Sequence, residues 1–562
     1  MVSNTPPFVL FFLAAALVPL ARGRVRAAFM LLIPVLGGLR LLGVDQGVYS
    51  TLSIVDYQLT LFRVDKLSLL FGYLFHIASF LSILFALHVR DTTQHVAGLL
   101  YAGSALGAVF AGDLITLFIF WEGMAVSSTF LIWARGTARS TSTGQRYLII
   151  QVVSGVLLLA GALLHLRETG SLAFEYIGLG GVSSWLILLS FGIKAAFPLL
   201  HNWLTDAYPE ATPTGTVFLS AFTTKTAIYA LARGYPGTEL LVYVGTIMTC
   251  FPIFYAVIEN DLRRVLAYSM VNQLGFMVCG VGIGTALSVN GAVAHAFVDV
   301  IFKGLLFMSM GAVLHMTGTM KGSALGGLHK TMPKTTILCI VGAASISAFP
   351  LFSGFVSKSM VMAAALEEGY HGCWLLLLFA SAGVFHHAGI KIPYFAFFAH
   401  DSGIRVSDPP KNMLAAMTIA AVLCVAIGSY PWPLYSLLPN ALGYSPYDAT
   451  HVLTQTQLLF FSALAFVWLQ LQGLYPPELR SVNIDAEWFY RRLAPRLLRP
   501  VGAALNSLRT GGDAAMQRLA NRLSGMLSVH HGPAGILART VATNRMVLWT
   551  LGLLGSYLLF FW

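Results

Sequence analysis

Long apolar runs alternate with short polar breaks along this chain, and one element length accounts for most of them. A helix rises about 1.5 Å per residue, so roughly 20 apolar residues cross a bilayer's hydrocarbon core. Such runs fall at about 7–21, 27–43, 65–88, 95–111, 114–133, 147–166, 183–203 and 214–232. They continue at 239–258, 265–287, 289–316, 335–366, 373–397, 411–431, 455–473 and 546–562. The pattern predicts sixteen transmembrane helices and little soluble chain.

The interval 474–545 differs. It carries Arg480, Arg491, Arg492, Arg496, Arg499, Arg509, Arg518, Arg522, Arg539 and Arg545, without a lysine. Leu519, Leu523, Met526 and Leu527 recur at helical spacing opposite arginines, so a basic amphipathic helix along a membrane surface or a partner is expected. Gly511 and Gly512 are expected to break it in two.

Composition agrees with a membrane chain. Of 562 residues, 57% are apolar and 10% charged, against about 25% charged in soluble domains. The net charge of +11 sits mostly in short loops and the basic interval, which argues against nucleic acid as a partner. At the N-terminus Arg22, Arg24 and Arg26 follow the apolar core instead of preceding it, so a first span is expected there and not a cleaved leader. Cys250, Cys279, Cys339, Cys373 and Cys424 all lie in apolar runs without CxxC spacing, and no disulfide, metal site or cofactor is expected.

Loop charges set an orientation. Loops after odd-numbered spans hold fourteen Lys and Arg residues, whereas loops after even spans up to the fourteenth hold only Arg63, Arg167 and Arg233. Odd loops are therefore expected in the cytoplasm, with both termini outside.

Ionisable residues at membrane depth are functional candidates. Here they are Glu122, Lys194, Lys225, His295, Asp299, Lys303, Lys358 and Lys391. Glu122 is the only acidic group deep in the first six spans and is paired with Lys194. His295, Asp299 and Lys303 follow at steps of four, which places them on one helical stripe as a proton relay. Pro198 follows Lys194, and Pro350 precedes Lys358. Each proline should break its span and open backbone groups towards a cavity. Both breaks read Ala-Phe-Pro-Leu, at Ala196 to Leu199 and Ala348 to Leu351, five spans apart, as an inverted repeat requires.

These residues resemble a known family: the antiporter-like subunits shared by Mrp-type cation/proton antiporters, respiratory complex I and membrane-bound hydrogenases. The resemblance rests on FRVDKLSLLF (62–71), FWEGMAVSSTFLIW (120–133), GIKAAFPLLHNWLTDAYPEATPTG (192–215), ENDLRRVLAYSMVNQLGF (259–276), HAFVDVIFKGLLFMSMGAV (295–313) and AFPLFSGFVSK (348–358). It implies an all-α polytopic fold of about fourteen core helices, with two inverted five-helix repeats and broken helices 7 and 12. It also implies translocation along Glu122, Lys194, Lys225, His295, Lys303 and Lys358, with Lys391 on span thirteen and His201 supporting the axis just beyond Pro198. Asp299 departs from members with a second histidine there. The basic interval is similar to the lateral helix of the distal complex I subunit.

The expected division is 1–94 for the first three spans, 95–232 for the first repeat and 239–397 for the second. Spans fourteen and fifteen occupy 411–473, the basic segment 474–545 and the final span 546–562. The implied function is Mrp-D-like Na⁺(K⁺)/H⁺ antiport in the bacterial cytoplasmic (inner) membrane, with other membrane subunits, H⁺ and Na⁺ or K⁺ as partners. The alternatives are a proton-pumping subunit of a redox-driven complex, a coupling subunit for inorganic-carbon uptake, and a structural anchor. No nucleotide, flavin or cluster motif is present, so redox catalysis would belong to partners.

Overall fold

In the computed structural model, which describes residues 5–54, 57–476, 479, 483–533 and 535–561, every predicted span has a helical counterpart. The chain divides into two compact units, Met1–Asn483 and Ile484–Trp562. The first opens with α1 (Pro7–Leu17) and α2 (Gly23–Leu41), then a hairpin of β1 (Gly47–Ile54) and β2 (Tyr57–Val64). Next come α3 (Lys66–Ala86), α4 (Thr92–Phe110), α5 (Leu114–Trp133), α6 (Ala138–Thr169), α7 (Val182–Lys194), α8 (Asn202–Ala207), α9 (Gly215–Ala221) and α10 (Thr223–Gly234). The series continues through α11 (Glu239–Ile258), α12 (Leu262–Ile283), α13 (Ala286–Thr317), α14 (Pro333–Ile346), α15 (Ser353–Glu367) and α16 (His371–Val384). α17 (Lys411–Ser429), α18 (Trp432–Tyr435) and α19 (Ala449–Leu471) complete the unit. The second unit holds α20 (Ala494–His531) and α21 (Thr543–Phe561).

Short polar residues punctuate the apolar runs. Asp65, Asp91, Asp113, Thr137, Asp261, Thr285 and Asp448 each accept a hydrogen bond from a first-turn amide, satisfying donors that helix starts leave free. Gly170, Gly284 and Gly318 end α6, α12 and α13 at φ of 75°, 79° and 75°, a conformation other residues adopt at a cost. Asp113 also accepts the Thr60 amide at 2.6 Å and so ties the hairpin to α5.

α13 lies at the centre: every residue in its most apolar 18-residue window is buried, against 39% for α6 and 17% for α19. A helix enclosed on all sides can carry polar groups without exposing them to lipid. The helix carrying His295, Asp299 and Lys303 is this one.

Loop contacts separate into two sets that follow the alternation of spans. Arg139–Glu210 (2.8 Å), Arg146–Asp206 (2.6 Å), Lys321–Asp261 (3.3 Å) and Lys330–Asp401 (3.1 Å) join loops after odd spans. Arg233–Asp65 (2.6 Å) and Arg63–Glu175 (3.9 Å) join loops after even spans. In the first set the Arg405 guanidinium, with the Gly403 amide and Lys330, holds the Asp401 carboxyl well below the usual carboxylate range.

The structure corrects or extends the sequence reading in several places. The hairpin between the second and third spans is unforeseen, because its strands sit in a stretch that reads only as a loop before an apolar run. α20 runs unbroken through Gly511 and Gly512, so the expected division there is wrong. Two glycines cost about 2 kcal/mol of helix propensity, which the flanking Ala, Leu and Arg residues evidently outweigh. Span eight is broken as well, between α9 and α10, and span thirteen passes through two π-helical stretches, Phe385–Lys391 and Tyr394–Phe398. Arg480 and Trp562 lie outside the described residues.

Candidate functional site

The two Ala-Phe-Pro-Leu breaks are backbone copies. Ala196 and Leu199 stand at φ of 61° and 68°, and Ala348 and Leu351 at 59° and 71°. Phe197 N donates to Gly192 O (2.9 Å) as Phe349 N donates to Ala344 O (3.1 Å). Leu200 N likewise donates to Phe197 O (2.9 Å), and Phe352 N to Phe349 O (3.1 Å). Left-handed backbone at non-glycine residues costs about 1–3 kcal/mol each and persists only where surrounding structure imposes it. Four such residues, at matching places in the two breaks, mark the breaks as built features.

Lys194, Lys225, Lys303 and Lys391 have no exposed surface, and Lys358 is 2% exposed. Each ammonium is held by a different arrangement. Lys194 ends α7, where its Nζ donates to Trp121 O at 2.6 Å and lies 4.6 Å from that indole ring. Trp121 Nε1 in turn donates to Ser154 Oγ (2.9 Å), which donates to Ser190 O (2.8 Å). Glu122 is within electrostatic reach of Lys194, the partner expected for it. It is only half-buried, however, and its carboxylate packs so tightly on Gly155 of α6 that a Cβ there would overlap Oε1.

Lys225, next to the break between α9 and α10, donates to Ser220 O at 3.2 Å and forms an ion pair with Asp299 Oδ2 at 2.6 Å. This buried pair joins α10 to α13. Helical spacing alone does not reveal it, since it places Asp299 in a relay within its own helix. His295, Asp299 and Lys303 do share α13 and are fully buried, but their partners lie on other helices. His295 Nδ1 meets Ser357 Oγ (2.9 Å), and its Nε2 meets Gln273 Oε1 (3.1 Å). Lys303 Nζ donates to Ser269 Oγ at 2.8 Å. The stripe is therefore three crossing points between helices.

Lys358 donates to Ile346 O (3.1 Å), a carbonyl freed by the break, and lies 5.0 Å from the Phe276 ring. Lys391, in the π-helical stretch, donates to Ala256 O (3.2 Å), Val257 O (2.6 Å) and Glu259 O (2.7 Å) at the C-terminal end of α11, where a cation is favoured. His201 packs its ring against Phe251 (4.7 Å) and faces Tyr268 (6.5 Å), linking the first break to α11 and α12.

Sequence reasoning also missed Trp121, Ser269, Gln273, Ser357 and His387. His387 is fully buried on the π-helical turn, within electrostatic reach of both Lys303 and Lys391. Gln273 lies within the SMVNQLGF stretch, and its polarity inside an apolar run is the available signal. Among the described residues the side-chain polar atoms of Gln151, Asn202, Thr224 and Ser381 are buried without hydrogen-bond partners. Buried polar atoms of this kind are normally satisfied by ordered water.

Paired strained breaks and a row of buried lysines in a helical bundle mark a membrane protein built around buried ionisable groups. Known proteins agree: residues 111–386 match the family described as NADH:quinone oxidoreductase/Mrp antiporter, TM, and this stretch belongs to it. It is 31% identical over 433 residues to the A component of the Na(+)/H(+) antiporter of Alkalihalophilus pseudofirmus, covering 67% of this chain and 54% of that one. It is 27% identical over 508 residues to hydrogenase-4 component B of Escherichia coli, covering 78% and 75%. The chain thus spans about half of the first relative and three quarters of the second. Among solved structures, a chain of the Mrp complex from Dietzia sp. DQ12-45-1b superposes with TM-score 0.67 at 21% identity, covering 84% of this chain and 98% of that one.

Proposed function

We propose that this chain is the proton- or monovalent-cation-translocating subunit of a multisubunit complex in the bacterial cytoplasmic membrane, working in Mrp-type Na⁺(K⁺)/H⁺ antiport. The observation that carries the reading is the series of five buried lysines, on α7, α10, α13, α15 and the π-helical stretch. They are interleaved with Asp299, His295 and buried polar atoms without protein partners. An ionisable group in a membrane interior is costly unless it is used or paired, and Lys225 has a carboxylate at contact distance.

Residues 95–232 and 239–397 act as the two inverted repeats, each with one Ala-Phe-Pro-Leu break and a buried lysine near it. Glu122 supports the multisubunit reading. It is half-buried on a face where Ile119, Val126, Val153 and Val156 are exposed, so a carboxylate would meet lipid unless a neighbouring subunit covers it. Similarity to hydrogenase-4 component B favours a second reading, in which a redox partner drives the same axis.

The test is Lys194→Ala in the assembled complex, with ion-gradient-driven proton flux measured in inverted vesicles. Flux should fall to background while insertion and assembly persist. Wild-type flux in a well-assembled variant would reject translocation through this axis, and flux that needs a reductant instead of a sodium or potassium gradient would favour the second reading.

A further inference from the structure

A proline break frees backbone groups that need new partners inside a membrane protein. At the second break, side chains from one segment outside both repeats, residues 428–455, supply them. Tyr447 precedes α19, and its hydroxyl accepts from Leu351 N at 3.2 Å while donating to Gly428 O. Its ring stacks on Phe355 of α15, with centroids 5.2 Å apart. Gln455 Nε2, on α19, donates to Ser347 O at 3.0 Å, and Ser429 Oγ donates to Leu351 O at 3.4 Å. α17 comes so close that a Cβ on Gly428 would overlap Leu351 O and the Phe352 backbone.

The first break offers a comparison within the same chain. Ala195 O and Leu199 N stand there where Ser347 O and Leu351 N stand in the second. Among the described residues neither has a hydrogen-bond partner. Leu199 nevertheless takes a φ of 68°, against 71° at Leu351. The bend therefore forms without such bonds, and those at the second break serve another end. They flank the acceptor of the buried lysine. Ile346 O, one residue before Ser347, receives Lys358 Nζ at 3.1 Å. Bonds at Ser347 O and Leu351 N hold the chain on both sides of Pro350, so the carbonyl under the ammonium cannot swing.

We infer that Tyr447 and Gln455 are positioning residues for Lys358: they clamp the second break from outside the repeats and fix the Ile346 carbonyl on which the ammonium rests. With the clamp loosened, that carbonyl leaves the ammonium for part of the time, and fewer molecules start each transfer with Lys358 in place. The inference rests on the proposed translocation along the lysine axis, and it adds the part that residues beyond the repeats play in it.

The experiment uses the full chain in its complex, with Tyr447→Phe, Gln455→Met and the double variant. Each change removes hydrogen bonding and keeps side-chain bulk, and the first break shows that the bend forms without it. Amide hydrogen exchange across 347–352 should quicken by about fivefold in each single variant, the factor that one net hydrogen bond supplies, while exchange across 195–200 stays unchanged. Maximal proton flux per assembled complex should fall by a comparable factor, with the half-saturating Na⁺ or K⁺ concentration unchanged, and the double variant should lose more than either single one. A merely structural role would lower the amount of assembled complex and leave flux per complex at the wild-type value, and that result overturns the inference. Unchanged exchange across 347–352 in the double variant overturns it as well. Exchange is independent of transport: quickened exchange there, with Lys194→Ala at full flux, rejects the transport reading and leaves Tyr447 and Gln455 as a clamp on the break.

Discussion

Removing one charge of the Lys225–Asp299 pair separates scaffold from transport. The two groups are 2.6 Å apart and neither side chain has exposed surface. At an effective dielectric of about 20, that separation gives about 6 kcal/mol of attraction. Desolvation of both ions offsets part of it, and losing one partner of such a pair costs about 3–5 kcal/mol, because the other charge is left uncompensated. Asp299→Leu and Lys225→Met should therefore each destabilise the protein by that amount. The double variant Lys225→Met/Asp299→Leu removes both charges, and an apolar replacement of similar volume is about neutral. Stability should return, giving a coupling free energy of about 3 kcal/mol or more in a double-mutant cycle. Proton flux should stay at background in all three variants, since the link between α10 and α13 is gone. The assays are denaturation of the detergent-solubilised protein and flux in vesicles. A double variant with wild-type flux would show that the pair only holds helices together. Single variants as stable as the parent would show that the pair is not shielded from water.

Other outcomes follow from packing and topology. Gly155→Ala should abolish flux or misplace Glu122, because the added Cβ would overlap Oε1, whereas Gly304→Ala meets nothing within 4 Å and should be neutral or stabilising by up to about 1 kcal/mol; flux and denaturation of both variants check this. Arg263 donates to the carbonyls of Tyr208, Pro209, Ala211 and Thr212, so Arg263→Lys should destabilise by about 2 kcal/mol or more, since one ammonium cannot satisfy that fan of acceptors; a denaturation midpoint equal to wild type would contradict it. Cysteines in the 134–146 loop should label only from the cytoplasmic side, and external labelling there would invert the orientation drawn from loop charge.

The order of the helices and the two Ala-Phe-Pro-Leu breaks are legible in the chain, whereas the break between α9 and α10 is not. Hydropathy is local and additive over a run of about 20 residues, so a bilayer's thickness can be read from the residues directly. Proline acts through its own ring on its own turn, which is why both Ala-Phe-Pro-Leu breaks can be located, down to the lysines beside them. Glycine is a poorer guide. Gly511 and Gly512 carry a propensity cost but no steric block, and α20 passes through them. The hairpin at Gly47–Ile54 and Tyr57–Val64 escapes because it depends on Asp113, about fifty residues further on.

What each buried charge meets emerges only when the helices pack. Helical spacing puts His295, Asp299 and Lys303 on one stripe, and they are on one helix. A stripe on a helix enclosed on all sides, however, faces several neighbours at once. Asp299 thus turns to Lys225, Lys303 to Ser269 and His295 to Gln273 and Ser357. Glu122 shows the same limit from the other side: its depth along the span is legible, but its position half-way out of the bundle is not. Spacing sets the height and angle of a side chain on its own helix. Its partner depends on which helices pack there and at what rotation, and that is a property of the assembled bundle.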